Sequence, residues 1–235
     1  MLEKKSVAII PARGGSKRIP RKNIRLFAGI PIIAHSIQIA LKTGLFDRVI
    51  VSTDDPEIAE VALKYGAEVP FLRSPETAND SAGISEVMIE VIEKLNEQGV
   101  EFDTFCCLLA TAPFIQSQDI FNARSIFEKG NWDTVVPVVR FSYPIWRSVE
   151  KIGDQIRMWW PENYPKHSQD LAPAFHDCGQ FYWLRTQEFL STKRFFTENT
   201  GTIELPESRV QDIDTEEDWA MGEFKWQWLQ TNTHV

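Results

Sequence analysis

A strongly basic stretch with two adjacent glycines follows the first apolar run of the sequence. Residues 9–23 read IIPARGGSKRIPRKN and contain five Lys or Arg residues. Glycine lets the backbone N–H groups approach an anion closely, and neighbouring cations stabilise the charge of that anion. The stretch therefore predicts a triphosphate site formed by Arg13, Gly14, Gly15, Ser16, Lys17 and Lys22.

Two common phosphate motifs are absent from this stretch. It lacks the spacing G-x-x-x-x-G-K-[ST], and no glycine follows Gly15 until Gly29, which excludes G-x-G-x-x-G. The loop is therefore neither a P-loop nor a dinucleotide-binding turn. The alternative is a solvated basic loop, to which we assign Arg18 and Arg21. For the other cations we favour the phosphate interpretation, because clustered positive charge repels itself without an anion.

A pair of carboxylates near the end of the chain could hold a metal ion. The stretch VQDIDTEEDW places Asp212 and Asp214 two positions apart, and in an extended segment this spacing puts both on one face. Mg²⁺ binds one or two protein carboxylates together with substrate phosphates. The alternative is that Asp214 or Thr215 caps the following helix, with a capping box closed by Glu217 or Asp218. Capping leaves Asp212 without a role, so we predict that the pair binds Mg²⁺.

The composition and charge of the chain exclude several classes of protein. The 235 residues carry a net charge of −8, although the first 25 hold eight Lys or Arg and one Glu, so the positive charge is local and indicates a small polyanion and no nucleic acid. Cys106, Cys107 and Cys178 show no C-x-x-C spacing, which argues against disulfides and zinc. The basic start is followed by an apolar run that stops at Pro11, too short for a signal peptide, and no apolar run could span a membrane. We expect a cytoplasmic protein.

Alternating strand and helix patterns must position these residues. The predicted strands are SVAII, RVIVST, TFCCLLA and TVVPVV, and the helices between them are PIIAHSIQIALKTG, DDPEIAEVALKYGA, ISEVMIEVIEKLNEQG and SQDIFNARSIFEKG. Such alternation predicts an α/β fold, with a mostly parallel sheet, helices on both faces and ligands beyond the carboxyl ends of the strands. Farther along, CGQFYWL and TIELP are predicted strands and TEEDWAMGEFKWQWLQ a closing helix. We expect a single domain over residues 1–235.

An aromatic, proline-containing segment interrupts the alternation. Residues 140–173, which we call the flap, contain an alternating piece, QIRMWW, that favours an inserted hairpin. If Trp159 and Trp160 are exposed, they form an apolar patch suited to a partner. The alternative, equally weighted, is that both tryptophans cover the edge of the core.

The basic stretch resembles the N-terminal motif of the cytidylyltransferases that activate nonulosonic and related 3-deoxy sugar acids, such as CMP-N-acetylneuraminate synthetases. The resemblance continues through GIPIIAHSI, VIVSTDD, LLATAPF and DIDTEEDW in the family order and covers nearly the whole chain. It implies a Rossmann-like nucleotidyltransferase fold. It also implies a reaction in which the anomeric hydroxyl of the sugar acid attacks the α-phosphorus of CTP and displaces pyrophosphate.

The resemblance assigns roles to individual residues. The phosphates of CTP would be held by Arg13, Ser16, Lys17 and Lys22, and the rest of the nucleotide by Asn23, Arg73 and Ser81. Mg²⁺ would be the cofactor, bound by Asp212 and Asp214. The catalytic residues would then be Lys22, Arg13, Asp212 and Asp214.

One departure from the family pattern indicates which sugar acid the protein uses. Members that use sialate read LLQPTSPLR where this chain reads CCLLATAPF, so Leu109 stands in place of a glutamine that contacts the sugar. An apolar residue in place of a buried polar contact changes substrate preference. The stretch CCLLATAPF, taken together with SQDLAPAFHDCGQFYW, is most similar to the corresponding stretches of the family members that use pseudaminic acid. The predicted sugar-binding residues are Thr111, Gln169, His176 and Gln180.

Two alternatives to this function remain open. The acceptor could be another acid sugar, namely N-acetylneuraminate, legionaminate or a Kdo-like acid. The chain could also be a catalytically silent nucleotide-binding homologue, although both the basic loop and the acidic pair are present. The resemblance further implies a homodimer, in which the flap reaches toward the active site of the partner, and a role in flagellin or surface-polysaccharide biosynthesis.

Overall fold

The structure, a computed structural model, describes residues 5–79 and 81–232. The first four residues, which form the basic start weighed against a signal peptide, lie outside the described residues. The strands are Ser6–Pro11 (β1), Leu26–Phe27 (β2), Ile30–Pro31 (β3), Arg48–Ser52 (β4), Thr104–Leu108 (β5), Thr134–Arg140 (β6), Val149–Ile152 (β7), Gln155–Met158 (β8), Phe175–Asp177 (β9), Phe181–Arg185 (β10) and Thr200–Glu204 (β11). The helices are Ile32–Thr43 (α1), Pro56–Lys64 (α2), Pro75–Ala78 (α3), Ile84–Glu97 (α4), Ser117–Gly130 (α5), Thr186–Thr192 (α6) and Glu216–Thr231 (α7).

The central sheet has seven strands in the order β11-β6-β10-β5-β1-β4, with β9 attached to β6. β1 pairs in parallel with β4 and β5, and β11 pairs in parallel with β6. β10 runs antiparallel between β5 and β6, and β9 runs antiparallel to β6. The predicted mostly parallel α/β sheet is confirmed, with β9 and β10 as the reversed strands.

The strands β1, β4, β5, β6 and β10 bury apolar side chains on both faces of the sheet, because helices cover both. In β1, Ala8 and Ile10 belong to the core cluster beneath α1, α2 and α5, whereas Val7 and Ile9 belong to the cluster beneath α4 and α6. β5 alternates in the same way. This double burial explains why the strands appear in the sequence as continuous apolar runs.

Local signals fix where the helices begin and end. The Asp55 carboxylate accepts hydrogen bonds from the N–H groups of Glu57 and Ile58, at 2.9 and 3.0 Å, and so caps α2, which has Pro56 at its first position. Gly44 ends α1 with φ of 61°, a left-handed conformation that glycine adopts without strain.

A third apolar cluster joins the basic loop to the end of the chain. It comprises Ile19 from the loop, Phe27 from β2, and Ile213 and Trp219 around the start of α7, all buried. The rings of Phe27 and Trp219 meet edge to face at 5.5 Å between centroids. This cluster places the basic loop and the acidic pair against each other, although they are almost 200 positions apart in the sequence.

The flap contains the predicted hairpin as a separate two-stranded sheet, formed by β7 and β8. Trp160 packs against Trp146 within the flap, with 5.5 Å between ring centroids. Trp159 is 64% exposed. The two tryptophans therefore differ: one is partly covered inside the flap and one faces solvent. In the described part of the chain, no helix has the length and apolarity needed to cross a membrane.

Candidate active site

A cavity of about 590 Å³ lies at the carboxyl ends of β1 and β5, where ligands bind in open α/β sheets. We call it the strand-end cavity. Its wall comprises Pro11, Arg13, Ser16, Lys17, Arg18, Lys22, Asn23, Arg73, Ala82, Ile84, Val87, Leu109, Ala110, Thr111 and Asp214. Most of the predicted nucleotide-binding side chains are therefore in one place, and the cavity is rich in cations.

Gly14 is held by contacts inside the protein. Its N–H donates to Asp54 Oδ1 at 3.0 Å, and a Cβ at this position would lie 2.5 Å from Asp55 Oδ2. The Ser16 N–H donates to the Gly14 carbonyl at 3.0 Å. The prediction that these amides face a phosphate is therefore corrected for this conformation: Gly14 is a glycine because Asp55 approaches closely. A Cβ at Gly15 would meet no described heavy atom within 4 Å.

Lys22 connects the basic loop to the acidic pair. Its Nζ donates to the Ile213 carbonyl at 2.6 Å and to Asp214 Oδ1 at 3.2 Å. Arg18 also contacts Asp214, at 2.8 Å between Nη2 and Oδ1. The two halves of the predicted site thus meet through direct ion pairs.

The two arginines assigned to solvent have different surroundings. Arg18 lies on the wall of the strand-end cavity and pairs with Asp214, and its side chain is also 65% exposed to solvent, as its assignment to a solvated loop predicted. Arg21 pairs with Asp55 and Glu57 instead and has φ of 55°. Its contacts join the loop to the start of α2 and do not enter the cavity wall.

Arg73 is a buried cation in the wall of the cavity. Its guanidinium donates to the Ser52 carbonyl at 2.6 Å and to Ser52 Oγ at 3.2 Å, which fixes it at the end of β4. Burial lowers the pKa of Arg73, although the nearby Asp54 and Glu90 oppose this change. Asn23 shapes the loop itself, because its Nδ2 donates to the Arg13 carbonyl at 2.9 Å.

Ser81 does not lie on the wall of the strand-end cavity, although its neighbour Ala82 does. The N–H and hydroxyl of Ser81 donate to Asn79 Oδ1 at 2.8 and 2.6 Å. The predicted contact of Ser81 with the nucleotide therefore requires its hydroxyl to leave Asn79.

The hydrogen bonds at the start of α7 show whether the side chains of Asp212 and Asp214 cap that helix. Thr215 is the N-cap: its Oγ1 accepts from the Asp218 N–H at 3.2 Å, and Asp218 accepts from the Thr215 N–H at 2.8 Å. The capping box therefore uses neither the Asp212 nor the Asp214 side chain. Within the described residues, the Asp212 carboxylate makes no hydrogen bond or ion pair.

The electrostatics of the acidic pair suit a cation. Partial burial of the Asp212 carboxyl, followed by the negative charge of Asp214, raises the pKa of Asp212, whereas Lys22 and Arg18 oppose this change. Among the described residues, no group of three or more His, Cys, Asp or Glu side chains could hold a metal by itself. Asp214 lies on the wall of the strand-end cavity, whereas Asp212 lines a neighbouring cavity. One or two such carboxylates are the protein ligands that Mg²⁺ uses when substrate phosphates complete its shell.

The predicted sugar-binding residues are spread over several places. Thr111 lies on the wall of the strand-end cavity. His176 lines a second cavity of about 360 Å³, which we call the side cavity, together with Arg140, Asp212 and Lys225. Gln169 lines neither, but a groove of about 400 Å³ between the flap and the end of β11.

Gln180 is 1% exposed and lines neither cavity. Its side-chain Nε2 donates to the Arg209 carbonyl at 2.6 Å. Its backbone carbonyl accepts a hydrogen bond from the Leu109 N–H at 2.8 Å. In this conformation the Gln180 amide nitrogen is bound to the protein, whereas its Oε1 is buried without a hydrogen-bond partner among the described residues, so the predicted sugar contact stays a prediction. The sequence showed its polarity but not its burial, which depends on the reversal of β10.

The comparisons with known proteins agree with one another. The family described as "Cytidylyltransferase" matches residues 7–158. A pseudaminic acid cytidylyltransferase of Campylobacter jejuni is 42% identical over 215 residues, which cover 91% of this chain and 93% of that protein. A CMP-N,N'-diacetyllegionaminic acid synthase of Legionella pneumophila is 37% identical, over 92% of this chain and 94% of that protein.

A solved structure has a similar fold. It is a CMP:2-keto-3-deoxy-manno-octonic acid synthetase in complex with CTP, with a TM-score of 0.70 and 20% identity, covering 97% of this chain and 99% of that one. Its similarity to this chain concerns the arrangement of strands and helices.

Proposed function

Because the chain belongs to the cytidylyltransferase family, we propose that it transfers CMP from CTP to a nonulosonic sugar acid and releases pyrophosphate. Pseudaminic acid is the proposed acceptor, and the product is CMP-pseudaminic acid for glycan biosynthesis. The nucleotidyltransferase fold that the resemblance implied agrees with the solved structure. We place the reaction in the cytoplasm, where CTP is made.

One observation carries the proposal. The strand-end cavity brings the cations Arg13, Lys17, Lys22 and Arg73 to the carboxyl ends of the central strands, beside Asp214. Such a set of fixed positive charges stabilises a triphosphate and the pyrophosphate that leaves it. The two relatives described above act with cytidine nucleotides and acid sugars by their names.

The chemistry requires positioning and charge stabilisation and no covalent enzyme intermediate. The anomeric oxygen forms a bond to the α-phosphorus as its proton leaves, and the bond between that phosphorus and the bridging oxygen of the β-phosphate breaks. Arg13 and Lys22 would stabilise the negative charge that develops on the departing pyrophosphate. Lys22 already contacts Asp214, so it aligns the triphosphate with the acidic pair.

Asp212 and Asp214 would hold Mg²⁺, since the capping box of α7 uses neither carboxylate. In this conformation Asp214 pairs with Lys22 and Arg18, so its Oδ1 would exchange these partners for the metal ion. When bound, Mg²⁺ neutralises phosphate charge and orients the triphosphate. The fold would hold the Asp212 and Asp214 carboxylates near each other. Because two negative charges repel, a cation bound by both would be stabilised. The raised pKa of Asp212 supports this interpretation, because Asp214 is one of its causes.

The side cavity is the proposed place of the sugar acid. It is adjacent to the acidic pair through Asp212 and contains His176 and Arg140. Arg140 supplies a cation for the substrate carboxylate. Leu109 lies on the wall of the strand-end cavity, so it can present an apolar surface to the sugar where sialate-specific relatives have glutamine. Thr111, on the same wall, remains a proposed sugar contact.

We further propose that two copies of the chain associate through the flap. The exposed apolar side chains Ile156, Trp159 and Tyr164 support this arrangement. A dimer would bring the flap of one copy near the side cavity of the other.

A pyrophosphate-release assay tests the proposed function. The protein is incubated with CTP and MgCl₂ and, separately, with pseudaminic acid, N-acetylneuraminic acid, legionaminic acid or Kdo. We expect pyrophosphate only when CTP and a sugar acid are both present, with the highest kcat/KM for pseudaminic acid. CTP binding without pyrophosphate release from any of these acids would instead support the silent homologue.

A further inference from the structure

The residues that carry the acidic pair have no strand partner. Residues 207–214, which we call the acidic segment, comprise a single 3-10 turn, Glu207–Arg209, followed by extended backbone without regular secondary structure. Backbone carbonyls in such a segment need partners from elsewhere. In this protein the partners are side chains from three distant parts of the chain.

Lys225, on α7, holds the first half of the acidic segment. Its Nζ donates to the Val210 carbonyl at 2.7 Å and approaches the Glu207 carbonyl at 3.3 Å. Burial lowers the pKa of Lys225, which shows that the ammonium is partly removed from solvent to make these contacts. The contact between helix and segment is therefore made at the cost of desolvating a charge.

Gln180 and Asp119 hold the segment from the opposite side. Gln180 donates to the Arg209 carbonyl, and the Arg209 guanidinium pairs with Asp119 at 2.5 Å. Asp119 is 4% exposed and also accepts from the Gln116 N–H at 3.0 Å at the start of α5. Arg209 is thus fixed at both its backbone and its side chain, just before the metal-binding positions.

Lys22 completes the set by donating to the Ile213 carbonyl. The carbonyls of residues 207, 209, 210 and 213 are therefore held by three side chains, from the basic loop, from the residue before β10 and from α7. Asp212 lies between the anchored positions, and its carboxylate makes no hydrogen bond or ion pair within the described residues. Its direction depends on the backbone to which it is attached.

We propose that Gln180 and Lys225 are positioning residues, which hold the acidic segment so that Asp212 and Asp214 present their carboxylates to a divalent cation bound with CTP. This inference rests on the proposed function, because it assumes that the acidic pair binds the metal. Neither residue needs to touch the cation or the nucleotide. Their effect resembles that of outer-shell groups, whose loss weakens metal affinity by about 10- to 100-fold.

Three substitutions separate positioning from a general effect on stability. Lys225→Met keeps the aliphatic stem and removes the donor, and Gln180→Met keeps the length of the side chain and removes the amide. Gln227→Met is the matched control, because Gln227 is exposed on the same helix and its side chain holds no part of the acidic segment. Circular dichroism and thermal melting check that each variant is folded.

Mn²⁺ binding is the main readout. Free Mn²⁺ is measured by electron paramagnetic resonance in titrations of the protein with saturating CTP and no sugar acid. We expect Lys225→Met and Gln180→Met to weaken Mn²⁺ binding by about 10-fold, with Gln227→Met unchanged. The affinity for CTP in EDTA, measured by equilibrium dialysis, should stay the same for all three variants.

Two results would overturn the inference alone. One is wild-type Mn²⁺ affinity in both Lys225→Met and Gln180→Met. The other is a raised KM for the sugar acid in Lys225→Met with unchanged Mn²⁺ affinity, since Lys225 also lines the side cavity and would then contact the sugar directly.

The variant Asp212→Ala shows whether a negative result rejects only the positioning role or also the proposed metal site. If Asp212→Ala binds Mn²⁺ with CTP as tightly as the wild-type protein does, the metal assignment itself is wrong, and the positioning role fails with it. If Asp212→Ala loses Mn²⁺ binding but the positioning variants do not, the metal site stands and only the role of Gln180 and Lys225 is rejected.

Discussion

Asp212 is a residue whose charge the fold does not favour. Partial burial and the neighbouring Asp214 raise its pKa, so the folded protein stabilises the neutral carboxyl more than the unfolded chain does. For a carboxyl group, a raised pKa means that its charge costs stability at neutral pH. A residue retained at such a cost is expected at a functional site.

Replacement of Asp212 by Asn should therefore separate activity from stability. We expect metal-dependent turnover to fall at least about 100-fold, because metal stabilisation of phosphate charge is worth several kcal/mol. The melting temperature at pH 7 should be equal to or slightly above that of the wild-type protein, since the neutral amide removes a repulsion. Steady-state kinetics and differential scanning calorimetry measure the two effects. A lowered melting temperature together with full turnover would contradict this account of Asp212.

Leu109 is the residue on which we expect the choice of sugar to depend most. It lies between the carboxyl end of β5 and the wall of the strand-end cavity, and its backbone is fixed by Gln180 and Ser36. A polar side chain introduced here can form the hydrogen bond that sialate-specific relatives are expected to make.

Leu109→Gln should shift specificity toward N-acetylneuraminate. We expect the ratio of kcat/KM for N-acetylneuraminate to that for pseudaminic acid to rise about 10-fold. Leu109→Met, which changes shape without adding a hydrogen-bonding group, serves as the control and should leave the ratio nearly unchanged. An equal ratio in Leu109→Gln and the wild type would remove Leu109 from the determinants of specificity.

Among the secondary-structure elements, helix α2 is stabilised at its N-terminus by contacts with the basic loop. Arg21 hydrogen bonds to Asp55, and this bond is the main reason that the pKa of Asp55 is lowered. Asp55 also caps α2 and packs against Gly14. Loop and helix are therefore stabilised together.

Arg21→Asn should destabilise the protein without disabling it. Asn tolerates the left-handed conformation of this position, so the change removes the ion pairs and adds little strain. With Arg21 partly exposed, we expect a loss of about 1 kcal/mol, or about 2–4 °C in melting temperature, and kcat within about threefold of wild type.

The pH dependence of this effect follows from the lowered pKa. A carboxyl with a depressed pKa contributes stability above its ordinary pKa and loses it as the pH falls through the folded value. The difference in stability between wild type and Arg21→Asn should therefore be full at pH 7 and shrink toward zero in strong acid. Urea unfolding at several pH values measures it; a difference that grows in acid would contradict the assigned role of Asp55.

The elements also show what the sequence can and cannot predict. Continuous apolar runs and clear caps were enough to predict β1, β4, β5 and the helices α1, α2 and α4, whereas the short helix α3 was not predicted. The reversal of β10 between β5 and β6 could not be predicted, because strand order depends on contacts between residues far apart in the chain. Gln180 lies just before β10 and is buried, and this burial could not be predicted for the same reason.

The site was predictable where side-chain chemistry determines it. Lys22 and the acidic pair were identified from residue type and spacing, and the structure brings Lys22 against Asp214. Arg18 was missed because nothing in the local sequence indicates that Asp214 lies beside it. Lys225 was missed for the same reason, since a single lysine on an amphipathic helix has no distinctive local signal.

For the whole molecule, the flap is the surface that we expect to bind a second copy. Ile156, 71% exposed on β8, and Trp159 form part of its apolar face. Multi-angle light scattering of the wild-type protein at micromolar concentration should give about twice the 27.0 kDa chain mass.

Ile156→Glu should shift that mass to the monomer, because a charge at the centre of an apolar interface is costly to bury. Leu63→Glu is the matched control: Leu63 is 58% exposed on α2, away from the flap, and its variant should remain a dimer. A monomeric wild-type protein, or an Ile156→Glu variant that remains a dimer, would show that the flap has another role.

The most direct test of the central claim is a competition for CTP between two acceptors. Equal concentrations of pseudaminic acid and N-acetylneuraminic acid are mixed with limiting CTP, MgCl₂ and the wild-type protein, and the CMP-sugars formed at early turnover are quantified by mass spectrometry. The product ratio equals the ratio of the two kcat/KM values. We predict that CMP-pseudaminic acid exceeds CMP-N-acetylneuraminic acid by at least about 10-fold. A predominance of CMP-N-acetylneuraminic acid, or no CMP-sugar at all, would contradict the proposed function.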